Sequence, residues 1–214
     1  MNKYFLELKE RHPKLEVIIS DMESAFSIIT NAYRNGRKVI ICGNGGSCAD
    51  ADHIVGELMK SFVLPRPLKQ DLEDKIKALG ETDLAEKLQT PLRAINLSSM
   101  HALGTAFAND VDANYVYAQL ALGYTDSGDV FIGISTSGNS KSVHFAAVTA
   151  KAAGAKLLGL TGSDGGKMRK SGIYDVLIRA PEKITHFIQE DHIAIYHTIC
   201  LAVEDEFFGE KKQD

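Results

Sequence analysis

His53 and Glu57 stand four residues apart, just after the glycine-dense turn Gly43-Asn44-Gly45-Gly46-Ser47. On a helix that spacing places both side chains on one face. Gln189 and His197 lie eight residues apart in the segment IQEDHIAIYH at 188–197, about 80° around a helix axis and two turns on. They too can converge on a common point. Two imidazoles, a carboxylate and an amide can close a tetrahedral Zn²⁺ site, and the same groups can move protons. Each pair also has a plainer reading. A His–Glu pair at this spacing is commonly a surface hydrogen bond, and a histidine late in an apolar helix is commonly a packed core residue. His192 takes the core reading, and His12, His101 and His144 have no partner at ligand spacing.

Two loops suit an anion. Asn44-Gly45-Gly46-Ser47 follows the apolar run KVIIC at 38–42 and opens a helical pattern, so backbone amides at the helix start can face negative charge. No lysine follows, which removes a P-loop. Gly43 and Gly45 lack the third glycine of a dinucleotide fingerprint, because Cys48 stands in its place. The stronger element is Ser135-Thr136-Ser137-Gly138-Asn139-Ser140. One hydroxyl is enough to cap a helix start; four within six residues form a neutral nest for a phosphate monoester.

These loops need a scaffold. Apolar, β-branched runs recur at 38–42, 93–97, 129–134, 156–160 and 175–178, with helical stretches between them. Continuous rather than alternating hydrophobicity marks strands buried on both faces. The expected fold is α/β, a three-layer sandwich around a central five-stranded parallel sheet, of flavodoxin-like or Rossmann-like type. In such sheets ligands sit beyond the carboxyl ends of the strands, where the glycine and hydroxyl residues crowd. Long amphipathic helices are expected at about 4–35 and 185–208. The charged, Leu-periodic stretch 66–92, bracketed by prolines, reads as one or two surface helices inserted in a single domain spanning 1–214.

The net charge of −4 speaks against a nucleic-acid partner. No apolar run reaches membrane-spanning length and no signal-peptide pattern opens the chain, so a cytoplasmic location is expected. Cys42, Cys48 and Cys200 lack CxxC spacing and read as reduced thiols.

Taken in order, GNGGS, His53/Glu57, Asn109-Asp110, ISTSGNS at 134–140 and I-Q-E-x-H-x-x-x-x-H at 188–197 resemble the phosphoheptose isomerase family, whose fold is the sugar-isomerase (SIS) domain. The resemblance implies an aldose–ketose isomerase that converts sedoheptulose 7-phosphate to D-glycero-D-manno-heptose 7-phosphate through an enediolate, towards the heptose of lipopolysaccharide. It implies one zinc per subunit on His53, Glu57, Gln189 and His197. An enediolate route needs a positioned base and acid, for which Glu57 is the candidate base and His197 the candidate acid. Phosphate would sit on Ser135, Thr136, Ser137 and Ser140. Asn44, Gly45, Gly46, Ser47, Asn109 and Asp110 would line the sugar, with Glu57 and Gln189 also reaching it. A cytoplasmic homotetramer with sites at subunit interfaces is implied as well.

The chain departs from the family pattern in three places. Ser61 stands where a basic residue is usual, and Lys60 comes one position early, about 100° away on a regular helix; Arg66 or a neighbouring subunit would then supply the charge. His186 replaces an acidic residue, and the 66–92 insertion is long. Rival readings are a non-catalytic SIS-fold scaffold for the bacterial replication initiator, and an isomerase or sensor of another phosphosugar.

Overall fold

The computed structural model describes residues 2–210. Five strands form one parallel sheet: β1 (Val39–Gly43), β2 (Ala94–Asn96), β3 (Val130–Ile134), β4 (Lys156–Thr161) and β5 (Val176–Arg179), in the order β2-β1-β3-β4-β5. Their apolar runs alternate between two cores. Val39, Ile41, Val130, Ile134 and Leu160 pack on one face of the sheet, and Ile40, Cys42, Phe131 and Leu157 on the other. Helices cover both faces, giving the expected three-layer α/β sandwich.

The first face carries α1 (Lys3–Arg11), α2 (Ile19–Arg34), α3 (Gly46–Met59) and α10 (Thr185–Phe208). The second carries α7 (Val116–Tyr124) and α8 (Lys141–Ala152). The chain order reverses between β1 and β3, so their carboxyl ends open a crevice at a topological switch point. The glycine turn leaves β1 there and the serine loop leaves β3.

Two features differ from the helix expectations. The 4–35 stretch is not one helix: Pro13 lacks the N–H a helix interior needs, so α1 stops at Arg11 and a 3₁₀ turn, Pro13–Ile18, leads into α2. The C-terminal helix is not one-sided, since Thr198, Ile199, Cys200, Ala202, Val203 and Glu204 are all buried. It is enclosed between α1, α2 and α3.

The 66–92 stretch contains α4 (Gln70–Ala78) and α5 (Thr82–Lys87), which pack on each other and carry exposed i,i+4 ion pairs such as Lys75–Asp71 and Lys87–Asp83. The remaining short helices are α6 (His101–Phe107) and α9 (Gly166–Ser171). Among the described residues no helix is long and apolar enough to cross a membrane. Cys42, Cys48 and Cys200 are free.

Candidate active site

Helix α3 starts directly after β1 and runs away from the switch point, carrying His53 and then Glu57. Helix α10 crosses it and brings His197 into the same place. His53 Nε2 lies 3.4 Å from Glu57 Oε1 and 3.4 Å from His197 Nε2, across a separation of 144 residues in sequence. The two imidazoles meet edge to face, 4.8 Å between centroids. Glu57 is buried, while His53 remains open to solvent. His197 is pushed below the ordinary imidazole range, by burial first and by His53 second, with Glu57 opposing both. It is therefore held neutral.

Gln189 lies on the same helix two turns earlier. Its amide packs so closely on Gly46, at the start of α3, that a Cβ there would collide with it. A glycine at 46 is what lets α10 approach the glycine turn.

Lys60 corrects an expectation based on helical period. The helix ends at Met59, and Lys60 is extended at φ −131 and ψ 172. That turn folds its side chain back, placing Nζ 3.3 Å from Glu57 Oε2. Arg66, expected to supply positive charge to a substrate or to lie on a solvated face, does neither. Its side chain is fully buried, bonds Glu204 Oε1 at 2.7 Å, and donates to the carbonyls of Leu58 at 2.7 Å and Glu57 at 3.0 Å.

The zinc site expected from His53, Glu57, Gln189 and His197 is also corrected, and with it the metal-binding assignment. Among the described residues, no group of three or more His, Cys, Asp or Glu side chains is arranged to hold a metal ion. The physical reason is that these atoms are engaged with one another and with neighbours. The two Nε2 atoms face each other in hydrogen-bond contact. Glu57 is shared between His53 and Lys60, His53 Nδ1 is taken by the Tyr196 hydroxyl at 2.9 Å, and the Gln189 amide lies on Gly46. What the chain assembles is a cluster of proton donors and acceptors.

The serine loop lies across the switch point from the glycine turn. Asn44 joins them: its Nδ2 donates to Ser140 Oγ at 2.8 Å and Ser142 Oγ at 3.1 Å, while its Oδ1 accepts from Tyr117 at 3.0 Å. Ser140 occupies the N-cap position of α8, yet its side chain makes no capping bond. The orphan amides of the first turn of α8 thus keep their capacity for an anion. Ser135 is buried and Ser137 exposed. Gly138, at φ +65, packs on the carbonyl of Gly165, which braces the loop against the Thr161–Gly166 turn.

Asn109 and Asp110 sit on a π-helical turn, Ala108–Asp112, and are exposed. Asn109 bonds Asp110 at 2.9 Å, and neither is hydrogen-bonded to the glycine turn or the serine loop. The sequence reading missed Tyr117, Ser142 and Tyr196, and turned Lys60 away from the site. The hydroxyls offered no spacing signal, because their partners come from other strands and helices. Beside the glycine turn, Ser98, Thr105, Tyr117 and Ser142 line a cleft of about 250 Å³.

Known proteins share these elements. SIS-domain family profiles match residues 101–202 and 3–90. The chain is 35% identical to a phosphoheptose isomerase of Sulfurimonas denitrificans, over 97% of this chain and 94% of the relative. It is 36% identical to phosphoheptose isomerase 2 of Campylobacter jejuni, over 94% and 88% respectively. The solved phosphoheptose isomerase GmhA of Neisseria gonorrhoeae superposes with a TM-score of 0.73 at 27% identity, covering 94% of this chain and 93% of that one. Identity at this level along almost the whole length, with the same fold, makes the chain a member of the phosphoheptose isomerase family.

Proposed function

We propose that the protein is an aldose–ketose isomerase that converts sedoheptulose 7-phosphate to D-glycero-D-manno-heptose 7-phosphate. The observation that carries this reading is the meeting of Glu57 with His53 and His197 on two helices, α3 and α10. The same helices also touch through Gly46 and Gln189 at the glycine turn, which Asn44 bonds to Ser140 of the serine loop. Its likeness along nearly its full length to phosphoheptose isomerases supports the substrate.

Isomerisation moves one proton between neighbouring carbons and another between their oxygens. Glu57 takes the proton from the hydroxymethyl carbon next to the ketone and returns it to the former carbonyl carbon. His197, neutral and next to His53, carries the second proton from the hydroxyl oxygen to the carbonyl oxygen. Between the two transfers the sugar is an enediolate, and the Lys60 ammonium beside Glu57 offsets its negative charge. At the far end of the substrate, Ser135, Thr136, Ser137 and Ser140 hold the phosphate with the α8 amides. That grip aligns the reacting carbons with Glu57. Asn44, Gly45, Gly46, Ser47 and Gln189 line the sugar, and Asn109 and Asp110 contact it from the π-helical turn.

The whole chain acts as one domain with 66–92 as an insertion, in the cytoplasm. It assembles as a homo-oligomer, for which the family resemblance suggests four copies. Exposed apolar side chains such as Val111, Leu122 and Ile193 support assembly.

The test is incubation of purified protein with sedoheptulose 7-phosphate, following the aldose product. Glu57→Gln and His197→Gln are each expected to lose about 10²-fold or more in kcat while still binding sugar phosphate. Full turnover in either variant removes that residue from the mechanism. Binding without product in the native protein makes it a sensor, and neither binding nor product favours the scaffold reading.

A further inference from the structure

Tyr117 lies in the first turn of α7, and its ring packs against the second core. The hydroxyl leaves that core for the end of β1, where it stands 3.2 Å from the Gly43 carbonyl and 3.0 Å from Asn44 Oδ1. The ring alone would serve the packing, so the hydroxyl calls for a reason of its own. The Gly43 carbonyl already accepts from Ser98 Oγ at 2.8 Å. What Tyr117 adds is a hold on Asn44.

Asn44 is exposed, and the next residue, Gly45, has φ +57. An exposed amide on such a turn would ordinarily rotate. Here both of its ends are held, one by Tyr117 and the other by Ser140 Oγ at 2.8 Å and Ser142 Oγ at 3.1 Å. The two serine hydroxyls also lie 3.2 Å from each other. Hydroxyls both give and receive, so the restraint holds whichever end of the amide carries the protons. One side chain thus ties α7, the glycine turn and the start of α8 together.

The tie matters for Ser140. At φ −62 and ψ 119 its backbone has the extended conformation of an N-cap, and a rotation about χ1 would lay its oxygen on the first-turn amides of α8. It makes no such bond, and Asn44 holds it instead. A serine that capped its own helix would compete with a phosphate for the same amides.

We propose that Tyr117 is a positioning residue for sugar-phosphate binding: through Asn44 it keeps Ser140 off the α8 amides, and so keeps the serine loop in the form that receives the phosphate. The inference rests on the reading of that loop as the phosphate cradle.

The experiment uses Tyr117→Phe, which keeps the ring, with Ser140→Ala and the double variant. Each is titrated with inorganic phosphate, followed by the backbone amide shifts of Ser142 and Val143, and assayed with sedoheptulose 7-phosphate. In Tyr117→Phe the Kd for phosphate and the KM for the sugar both rise about fivefold, the worth of one helix cap. The change in kcat is smaller, because Glu57 lies on another helix. A tyrosine that only stabilised the fold would leave both constants where they are. Because Tyr117 acts through Ser140, the double variant binds phosphate as weakly as Ser140→Ala alone. A native Kd in Tyr117→Phe overturns the proposal, as do losses that multiply in the double variant. Amides of Ser142 and Val143 that ignore phosphate in the native protein overturn it too. Product formation from sedoheptulose 7-phosphate is scored separately, so the failure of this proposal is distinct from failure of the isomerase reading.

Discussion

Glu204→Gln is a stringent test of how the end of α3 is held. Glu204 and Arg66 form an ion pair in which neither side chain has exposed surface. Glu204 accepts from Arg66 Nε at 2.7 Å and from the backbone amides of Phe62 at 2.8 Å, Val63 at 2.8 Å and Leu64 at 3.1 Å. Arg66 in turn bonds the carbonyls of Glu57 and Leu58, the last turn of α3. A glutamine keeps the shape, but it replaces one accepting oxygen with a donor that must face another donor. It also leaves the buried guanidinium without its counter-charge. Removing one partner of such a pair costs about 3–5 kcal/mol. Against a total of roughly 5–15 kcal/mol for a domain, that is a large share.

With a urea slope of about 2–3 kcal/mol/M, the unfolding midpoint should fall by about 1–2 M, measured at one fixed protein concentration because assembly adds to stability. Arg66→Met alone should cost a similar amount, since Glu204 is then the unpaired charge. The double variant should recover part of the loss, giving a coupling energy of about 2 kcal/mol. A midpoint within 0.3 M of native (roughly 1 kcal/mol or less at that slope) for Glu204→Gln, at unchanged slope, would refute the claim that this pair holds the segment after Glu57.

Gly138→Ala adds a side chain where φ is +65 and where a Cβ would collide with the Gly165 carbonyl. The serine loop must then move, and KM for the sugar phosphate should rise about tenfold or more with a smaller change in kcat; an unaltered KM would remove this loop as the phosphate cradle. Stability below neutral pH depends on two buried groups of opposite sign. Burial pushes His192 down to about 4 from an ordinary 6.5, so its contribution is present above 6.5 and lost as pH falls through about 4. Burial raises Asp50 from 3.8 to about 6, so its contribution is present below 3.8 and lost as pH rises through about 6. Between about pH 6 and 4 the two slopes oppose each other. Asp50→Asn should therefore lose stability on acidification faster than the native protein, by about 1.4 kcal/mol per pH unit, measured as urea midpoints from pH 7 to 4. Parallel curves would contradict the assignment to Asp50.

Several features needed nothing beyond the residues themselves. The runs at 38–42, 93–97, 129–134, 156–160 and 175–178 became β1 to β5 with ends shifted by a residue or so, because continuous apolarity leaves a short segment few alternatives to a strand buried on both faces. The 185–208 helix was legible in its extent but not in its amphipathic period, since its buried residues do not keep to one face. His53 and Glu57 share a helix face by spacing alone, and GNGGS and ISTSGNS mark strand ends by composition.

What tertiary structure decided is how those pieces face one another. Pro13 broke a pattern that periodicity would have continued. Lys60 reached Glu57 only because α3 ended one residue before it. Arg66, in a stretch dominated by exposed charge, was drawn inside by a glutamate 138 residues away. The metal assignment failed for a related reason. Spacing says which side chains can converge, but whether their atoms enclose an ion or bond one another depends on ring rotation and on neighbours such as Tyr196, Lys60 and Gly46. Those neighbours come from crossings of α3 with α10, whose angle and depth are set by core packing and are not encoded in any local stretch.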